Sequence, residues 1–269
     1  MSDSKPTLWH IDVSHYSEKV RWALAHKEVE HRRRAPVPGA HIPIALWLTR
    51  GSQATFPVLT MDGRATGDST AIIAALEQRY PDPPLYPADP EQRRHALTLE
   101  DYFDTQLGPQ IRLLAWHEFG NDRERFAKLM TYVAPGPLAK MSRVAATYGR
   151  AFTNLRYRVR DPKAAERARA EVLVALDRLE EELGEDEYLV GDSFTVADLT
   201  AASLFYPLAL PEEGPLPAEL TPPAGFERFR EPLKERRGFK WVAEMFRRHR
   251  KPAERQAGVP APPATVAAE

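Results

Sequence analysis

Apolar residues change their spacing along the first part of the chain, and this change predicts its first two elements. The stretch "LWHIDV", residues 8–13, is typical of a short strand. In the stretch that follows, Tyr16, Val20 and Leu24 recur four positions apart. Side chains at this spacing lie on one face of a helix, so we expect a strand that passes directly into a helix ending near Lys27.

The rest of the first 85 residues predicts more short elements of both kinds. "EVEHRRRAPV" is typical of a second strand, and it leads into the stretch 36–55, which we interpret as irregular. "FPVLTMDGRATGD" predicts a hairpin that turns at Asp62-Gly63. "DSTAIIAALEQRY" predicts a helix with Ile72 and Leu76 on one face. The resulting order, β-α-β-α-β-β-α, describes a small α/β layer.

Five prolines in "PDPPLYPADP", residues 81–90, separate this layer from a helical second part. Proline fixes φ and lacks an amide donor, so we place a domain boundary here and divide the chain into 1–85 and 86–251. The second part predicts these segments: a helix from Glu91 to about Phe119, a less regular region to Arg160, helices near 165–183 and from Thr195, a proline-rich loop at 210–225, a final amphipathic helix in "FKWVAEMFRRHR", and a disordered tail at 252–269.

Composition excludes several kinds of chemistry. The 269 residues include no cysteine, which excludes disulfides, thiolate metal sites and a protein thiol as nucleophile. The eight histidines lack metal-ligand spacing, so we expect no metal. A net charge of −1 argues against nucleic acid or an anionic membrane as partner. The N-terminus lacks the apolar core of a secretory signal, and we expect a cytoplasmic protein.

Four motifs, taken together, resemble the glutathione S-transferase superfamily. They are "S-x-x-S-x-K-V-R-x-A-L" at 14–24, "F-P-V-L" at 56–59, "D-S-x-A-I" at 68–72 and "YLVGDSFTVADLTAASLF" at 188–205. The resemblance spans residues 7 to about 206. It implies an α/β thioredoxin-like N-terminal domain followed by an all-α C-terminal domain, glutathione as co-substrate, and a homodimer.

Ser14 is the candidate catalytic residue, because it stands where the first strand meets its helix. A helix N-terminus favours an anion, and a hydroxyl there can donate to a thiolate and lower its pKa. The alternative is an ordinary N-cap. Ser17, three positions later, is a second candidate, although a serine in the first turn of a helix is the simpler interpretation. His15 stands where much of the family has proline.

The resemblance also implies which residues bind the rest of glutathione, which is a tripeptide. Pro57 is expected to be cis, with the Phe56 backbone pairing with the cysteinyl part. Asp68 and Ser69 would take the γ-glutamyl end, although both are also natural helix caps. Thr55 replaces the usual family donor. The candidates for the glycine carboxylate are therefore His41, Arg50 and Gln53.

A second substrate is expected between the domains, against the first helix of the second one. Candidate pocket residues are Tyr16, Tyr102, Arg112, Trp116 and His117, and an aromatic stripe of this kind is also typical of a core. Thr195 and Asp198 are interpreted as a capping box that serves folding rather than chemistry.

These observations lead to one main hypothesis and two alternatives. The main hypothesis is a glutathione transferase, in which the thiolate attacks a small hydrophobic electrophile in detoxification, by conjugation, ether cleavage, dehalogenation or isomerisation. The first alternative is a binding or scaffolding protein without turnover, since fold does not settle function. The second is an enzyme that uses a different low-molecular-weight thiol.

Overall fold

The computed structural model describes residues 5–37, 39–133, 154, 159–217 and 219–250. Its first part has seven elements: β1 (Thr7–Trp9), α1 (His15–His26), β2 (Arg32–Arg34), α2 (His41–Leu48), β3 (Val58–Met61), β4 (Arg64–Gly67) and α3 (Ser69–Arg79). The predicted order β-α-β-α-β-β-α is confirmed, and its second helix lies inside the stretch 36–55. The predicted disordered tail, 252–269, and most of the predicted less regular region lie outside the described residues.

The strands form one mixed sheet in the order β2-β1-β3-β4. β1 runs parallel to β2 and antiparallel to β3, while β3 and β4 form the predicted hairpin. Asp62 and Gly63 both have positive φ, 50° and 76°, as a two-residue hairpin turn requires. Because β1 is a central strand, the loop that joins it to α1 lies at the middle of the sheet edge.

The interpretation of residues 36–55 as irregular is wrong, since they contain α2. Its sequence, "HIPIALWL", carries almost no polar side chain and therefore gives no helical alternation of polar and apolar positions. Trp47 is 77% exposed on this helix, so sequence hydrophobicity does not mark a buried face here.

The second part is helical. Its elements are α4 (Pro90–Tyr102), a π-helical turn (Phe103–Leu107), α5 (Gly108–Asn121), α6 (Arg123–Val133), α7 (Pro162–Leu183), α8 (Val196–Ala209), α9 (Ala224–Arg230), a 3₁₀ turn (Glu231–Leu233) and α10 (Arg237–His249). The long helix predicted from Glu91 to about Phe119 is thus divided by the π-helical turn. Within the described ranges, no helix combines the length and the apolar character needed to cross a membrane.

The predicted capping box starts α8 and is confirmed. Thr195 Oγ1 accepts from the Ala197 amide at 3.2 Å, and Asp198 Oδ2 accepts from the Thr195 amide at 2.8 Å. Asp198 Oδ1 also accepts from the Leu189 amide at 2.8 Å. Burial of this carboxyl raises its pKa to about 6, although these hydrogen bonds oppose the shift.

Helix α8 is buried along its whole length and packs against α1, α4 and α10. On α1, Val20 and Leu24 of the predicted stripe are fully buried. Burying a side chain of this size contributes about 1.5–3 kcal/mol. Trp22, also on α1, donates from Nε1 to the His249 carbonyl at 3.1 Å. The two parts therefore share one core, and the junction between them is fixed.

Candidate functional site

Ser14 caps α1 at the mouth of the junction between the two parts. Its backbone is extended, with φ −81° and ψ 124°, and its Oγ accepts from the Ser17 amide at 3.3 Å. Because the oxygen accepts in this bond, the hydroxyl keeps its proton for donation. Ser14 also lines a cavity of about 320 Å³. The N-cap interpretation is therefore correct, and it is compatible with a role toward a ligand in the cavity.

The structure does not bring Ser17 to the cavity wall. Ser17 is fully buried, and its Oγ accepts from the Ile11 amide at 3.2 Å. This hydroxyl holds the loop between β1 and α1 against the first turn of the helix. The geometry thus gives the two serines different surroundings, with Ser14 at the cavity and Ser17 inside the protein.

A second wall of the cavity comes from the segment before β3. The Phe56–Pro57 peptide bond is cis, which confirms the expectation for Pro57, and both residues line the cavity. Gln53 lies on the same wall, and its side chain fills the space above Gly67. A Cβ added to Gly67 would lie 2.4 Å from Gln53 Cγ, so only glycine allows this approach.

His41 lines the cavity from the start of α2, whereas Arg50 is exposed and does not. His41 Nδ1 accepts from the Gly39 amide at 3.2 Å, so a neutral ring carries its proton on Nε2. Burial lowers the pKa of His41, which favours this neutral form. Of the three candidates for a carboxylate, His41 and Gln53 are therefore the two that the structure brings to the cavity.

Asp68 and Ser69 line the cavity at the N-terminus of α3. Asp68 has a positive φ of 68°, and its Oδ1 accepts from the Ala71 amide at 3.1 Å as the helix cap. Ser69 is buried, and its hydroxyl donates to Asp104 Oδ1 at 3.3 Å. The helix end, with its partial positive charge, therefore faces the cavity next to a carboxylate.

That carboxylate, Asp104, is the site residue that sequence reasoning missed. It lies on the π-helical turn and lines the cavity. Lys19 Nζ, which is fully buried, lies 2.9 Å from Asp104 Oδ1 and 2.9 Å from Glu100 Oε1. Burial raises the pKa of the Glu100 carboxyl. Lys19 belongs to the α1 motif, but no local pattern marks Asp104.

His15, Tyr16 and Arg112 form a cluster beside Ser14, and all three line the cavity. The Tyr16 hydroxyl donates to the Asp104 carbonyl at 2.9 Å, and the Arg112 guanidinium lies 5.6 Å from the centre of the Tyr16 ring. Burial, reinforced by the charge of Arg112, lowers the pKa of His15 to about 3. The ring next to Ser14 is therefore neutral at physiological pH.

The far end of the cavity is apolar and is built by the helical part. Its wall includes Trp116 and Phe119 of α5, Leu129 and Met130 of α6, Tyr206 of α8, and Leu216, Leu220 and Phe226. Among the described residues, the helical part brings two charged side chains to the wall, Asp104 and Arg112. Since Asp104 pairs with Lys19, Arg112 is the cation next to the apolar end.

Tyr102 and His117 are not brought to the cavity. Tyr102 packs edge-on against Phe103 with the ring centres 5.3 Å apart. His117 Nδ1 lies 2.5 Å from the Val159 carbonyl, on the side of α5 that faces α7. The other pocket candidates, Tyr16, Arg112 and Trp116, lie on the wall.

The proline-rich loop between α8 and α9 forms one side of the apolar end, through Leu210, Leu216, Leu220 and Pro222. Three hydrogen bonds from two side chains hold the loop and the end of α8 from which it starts. Tyr132 Oη donates to the Pro215 carbonyl at 3.0 Å, and Arg230 donates to the carbonyls of Leu208 and Ala209 where α8 ends. The loop is thus a fixed part of the cavity wall.

Comparison with protein-family models gives two matches. The model described as "Glutathione S-transferase, N-terminal domain" matches residues 8–84. The model described as "Glutathione S-transferase, C-terminal domain" matches residues 137–223. Together these ranges span most of the cavity-forming sequence.

Curated relatives with similar sequences are maleylacetoacetate isomerases. The chain is 27% identical over 206 residues to a probable maleylacetoacetate isomerase of Caenorhabditis elegans, covering 77% of this chain and 80% of that protein. It is 28% identical over 135 residues to the maleylacetoacetate isomerase of Rattus norvegicus, covering 46% of this chain and 59% of that protein. The rat alignment therefore spans less than two thirds of its relative.

Solved structures share the fold at lower identity. A β-etherase of Sphingobium sp. strain SYK-6 superposes with a TM-score of 0.57 and 22% identity, covering 90% of this chain and 99% of that one. A rice glutathione transferase, solved in complex with glutathione, gives a TM-score of 0.60 and 18% identity, covering 92% and 88%. At these identities the superposition shows the shared architecture, a thioredoxin-like domain followed by a helical one.

Proposed function

The chain belongs to the glutathione S-transferase superfamily, and from this premise we propose a glutathione-dependent enzyme whose thiolate is held by Ser14 and attacks a hydrophobic electrophile. The observation that carries the proposal is the position of Ser14. It caps α1, keeps its hydroxyl proton for donation, and lines a cavity whose far end is apolar.

The surroundings of Ser14 are suited to holding RS⁻. Lowering the pKa of a thiol by two units requires about 2.7 kcal/mol of preferential stabilisation of the anion. A charge-assisted hydrogen bond from a hydroxyl, together with the amides and the partial positive charge of a helix N-terminus, is of that size. Glu18, in the first turn of α1, does not oppose this, because Arg21 and Arg250 both bond to its carboxylate.

The rest of glutathione would lie along the residues that the structure brings to the same cavity. Its α-ammonium would meet the Asp104 carboxylate, and its γ-glutamyl carboxylate would meet the N-terminus of α3 at Ser69. The cysteinyl backbone would pair with Phe56, and the glycine carboxylate would accept from His41 and Gln53. This arrangement would bring the sulfur next to Ser14, at the border with the apolar end.

Isomerisation is a second candidate for the reaction, and two observations favour it. The curated relatives are named maleylacetoacetate isomerases, and Arg112 places a cation next to the apolar end of the cavity. A thiolate can add to an activated double bond, the new single bond can rotate, and expulsion of the same thiolate restores the double bond without net consumption of thiol. An unsaturated carboxylic acid would give Arg112 an anion to bind.

Three further features belong to the proposal. A homodimer is the assembly implied by the resemblance, and analytical ultracentrifugation tests it. A cytoplasmic location agrees with a chain that has no cysteine, as is common where disulfides are not formed. A role in detoxification would follow from broad use of electrophiles, which a panel of substrates would reveal.

The proposal is tested by glutathione binding followed by turnover. We expect retention on immobilised glutathione, conjugation of a generic aryl halide, and a fall in kcat of about tenfold or more in Ser14→Ala, since each unit of thiol pKa is a tenfold change in thiolate. Ser52→Ala is the matched control, because Ser52 Oγ donates to the Thr49 carbonyl outside the cavity.

The alternatives predict different outcomes of the same experiment. A scaffolding protein would show no turnover with any electrophile, whether or not glutathione binds. An enzyme that uses another low-molecular-weight thiol would be inactive with glutathione and active with that thiol. Wild-type rates in Ser14→Ala would contradict the assignment of Ser14.

A further inference from the structure

The three carbonyls that precede Ser14 in the loop after β1 all accept hydrogen bonds from side chains elsewhere in the chain. Arg21 donates from one NH group to the Ile11 carbonyl at 3.3 Å and from the other to the Asp12 carbonyl at 2.8 Å. The hydroxyl of Tyr206 donates to the Val13 carbonyl. Every carbonyl from residue 11 to residue 13 therefore has a fixed partner.

Arg21 is itself held by other residues, so its hydrogen bonds to the loop have a fixed geometry. Its Nε donates to Glu18 Oε2 at 2.7 Å, and its Nη1 also donates to His10 Nδ1 at 2.9 Å. The other oxygen of Glu18 accepts from Arg250 Nε at 2.6 Å, at the end of α10. Glu18, Arg21 and Arg250 are all buried. A buried guanidinium of this kind holds its geometry because each of its three nitrogens donates to a partner.

Tyr206 connects the loop to the other half of the site. It lies on α8 of the helical part, is 1% exposed, and also lines the cavity. Burial raises the pKa of its phenol, so the hydroxyl stays protonated and donates. The ring is thus part of the wall that a second substrate would contact, while its hydroxyl holds the residue that precedes Ser14.

We propose that Tyr206 and Arg21 are positioning residues for Ser14, which fix its hydroxyl toward the cavity by holding the carbonyls of residues 11–13. This inference rests on the proposed function, since it concerns the residue that would bind the thiolate. The physical reason is distance: a charge-assisted hydrogen bond loses most of its strength when the donor is displaced by about 1 Å. Neither residue touches the thiol, so both act through the loop.

The test compares Tyr206→Phe and Arg21→Lys with Tyr188→Phe. Tyr206→Phe removes one hydroxyl and keeps the ring. Arg21→Lys keeps the positive charge but removes the two guanidinium NH groups that donate to the carbonyls of Ile11 and Asp12. Tyr188→Phe is the matched control, because its hydroxyl bonds to His249 Nε2 at 3.1 Å and does not line the cavity. For each variant, ultraviolet titration of the bound glutathione thiolate gives the thiol pKa, and steady-state kinetics gives kcat and KM.

We expect Tyr206→Phe and Arg21→Lys to lower kcat by about tenfold. At a pH below the thiol pKa, both variants should also lower the fraction of bound glutathione that is thiolate by a similar factor. KM for glutathione should stay within about twofold, since the residues that hold its two ends are unchanged. The control should keep the wild-type thiol pKa. Thermal unfolding of each variant shows whether it is folded. If Tyr206→Phe is not folded, Arg21→Lys tests the positioning role instead.

A second background separates positioning from general damage. In Ser14→Ala, Tyr206→Phe should cause no further change in thiol pKa, because the hydroxyl that it positions is already absent. An equal rise in thiol pKa in both backgrounds, or a wild-type thiol pKa in folded Tyr206→Phe and Arg21→Lys, would overturn the inference. A wild-type thiol pKa in Ser14→Ala alone would instead overturn the proposed role of Ser14, and the inference with it.

Discussion

Ser69 and Asp104 face each other across the junction of the two parts, with the Ser69 hydroxyl donating to Asp104 Oδ1 at 3.3 Å. The same oxygen lies 2.9 Å from Lys19 Nζ. One carboxylate of the helical part therefore meets the N-terminus of α3 and a buried cation of α1. This contact joins the two parts at the end of the cavity that is proposed to bind glutathione.

Asp104→Asn is expected to weaken glutathione binding more than it slows the chemistry. The change removes the negative charge proposed to meet the α-ammonium, and a hydrogen bond to a charged group contributes about 1.5–3 kcal/mol. KM for glutathione should therefore rise by about tenfold or more, while kcat at saturating glutathione changes less. Asp101→Asn, at an exposed position one turn earlier, is the control. An unchanged KM would contradict the role of Asp104.

Arg112→Met is expected to discriminate between electrophiles with and without a carboxylate. Two unsaturated ketones that differ by one carboxylate provide the comparison, measured as kcat/KM for each. Loss of the cation should lower kcat/KM for the acid by about tenfold and leave the neutral ketone within about twofold. Arg94→Met, at an exposed position on α4, should change neither. Equal losses for both ketones would argue against an anionic substrate.

His15 should make the protein less stable as the pH falls. Its pKa lies at about 3 in the folded protein and near the ordinary value of 6.5 in the unfolded chain. The unfolded chain therefore binds this proton first, so the stability is present above about pH 6.5 and is lost toward pH 3. Between pH 7 and pH 5 this one group accounts for about 2 kcal/mol.

His15→Leu should remove that part of the pH dependence. Urea unfolding at pH 7 and pH 5 measures the difference in free energy of unfolding, which we expect to be smaller in the variant by about 2 kcal/mol. Val174→Ala, at an exposed position without a titratable group, should retain the wild-type difference. If the difference in free energy of unfolding between pH 7 and pH 5 were the same in His15→Leu and the wild type, protonation of His15 would not destabilise the fold.

Asp198→Asn should destabilise the fold without touching the cavity. The two carboxylate oxygens accept from the amides of Leu189 and Thr195 and from the Thr195 hydroxyl. The asparagine side chain offers one oxygen, so at least one buried amide loses its partner, at a cost of about 1–3 kcal/mol. Chemical denaturation measures this cost, and glutathione affinity of the folded variant should be unchanged.

Features that depend on neighbouring residues could be predicted from the sequence. The Asp62-Gly63 turn and the Thr195 capping box each need only a few adjacent positions, and both are confirmed. Ser14 was identified by the same kind of reasoning, since a cap stands at a fixed place relative to its helix. For these elements, local backbone chemistry and the final structure agree.

Features that depend on packing between distant segments could not be predicted from the sequence. Asp104 reaches the site because the helical part docks against α1 and because a π-helical turn changes the phase of its helix. An unbroken helical pattern gives no sign of such a turn. Packing also decides the positions of Tyr102 and His117, which lie away from the cavity because Tyr102 packs against Phe103 and His117 bonds to the Val159 carbonyl.

The π-helical turn Phe103–Leu107 also sets how the two substrates would meet. A π-helical turn holds an additional residue relative to α-helix, and each residue advances the helix by about 100°. Removing one residue here would swing Arg112 and Trp116 around the axis of α5 while Asp104 kept its contact with Lys19. Because Ile111 and Leu114 of the same helix are fully buried, this rotation would also turn them out of the core, so the extra residue and the core packing together fix where Arg112 and Trp116 lie relative to Asp104.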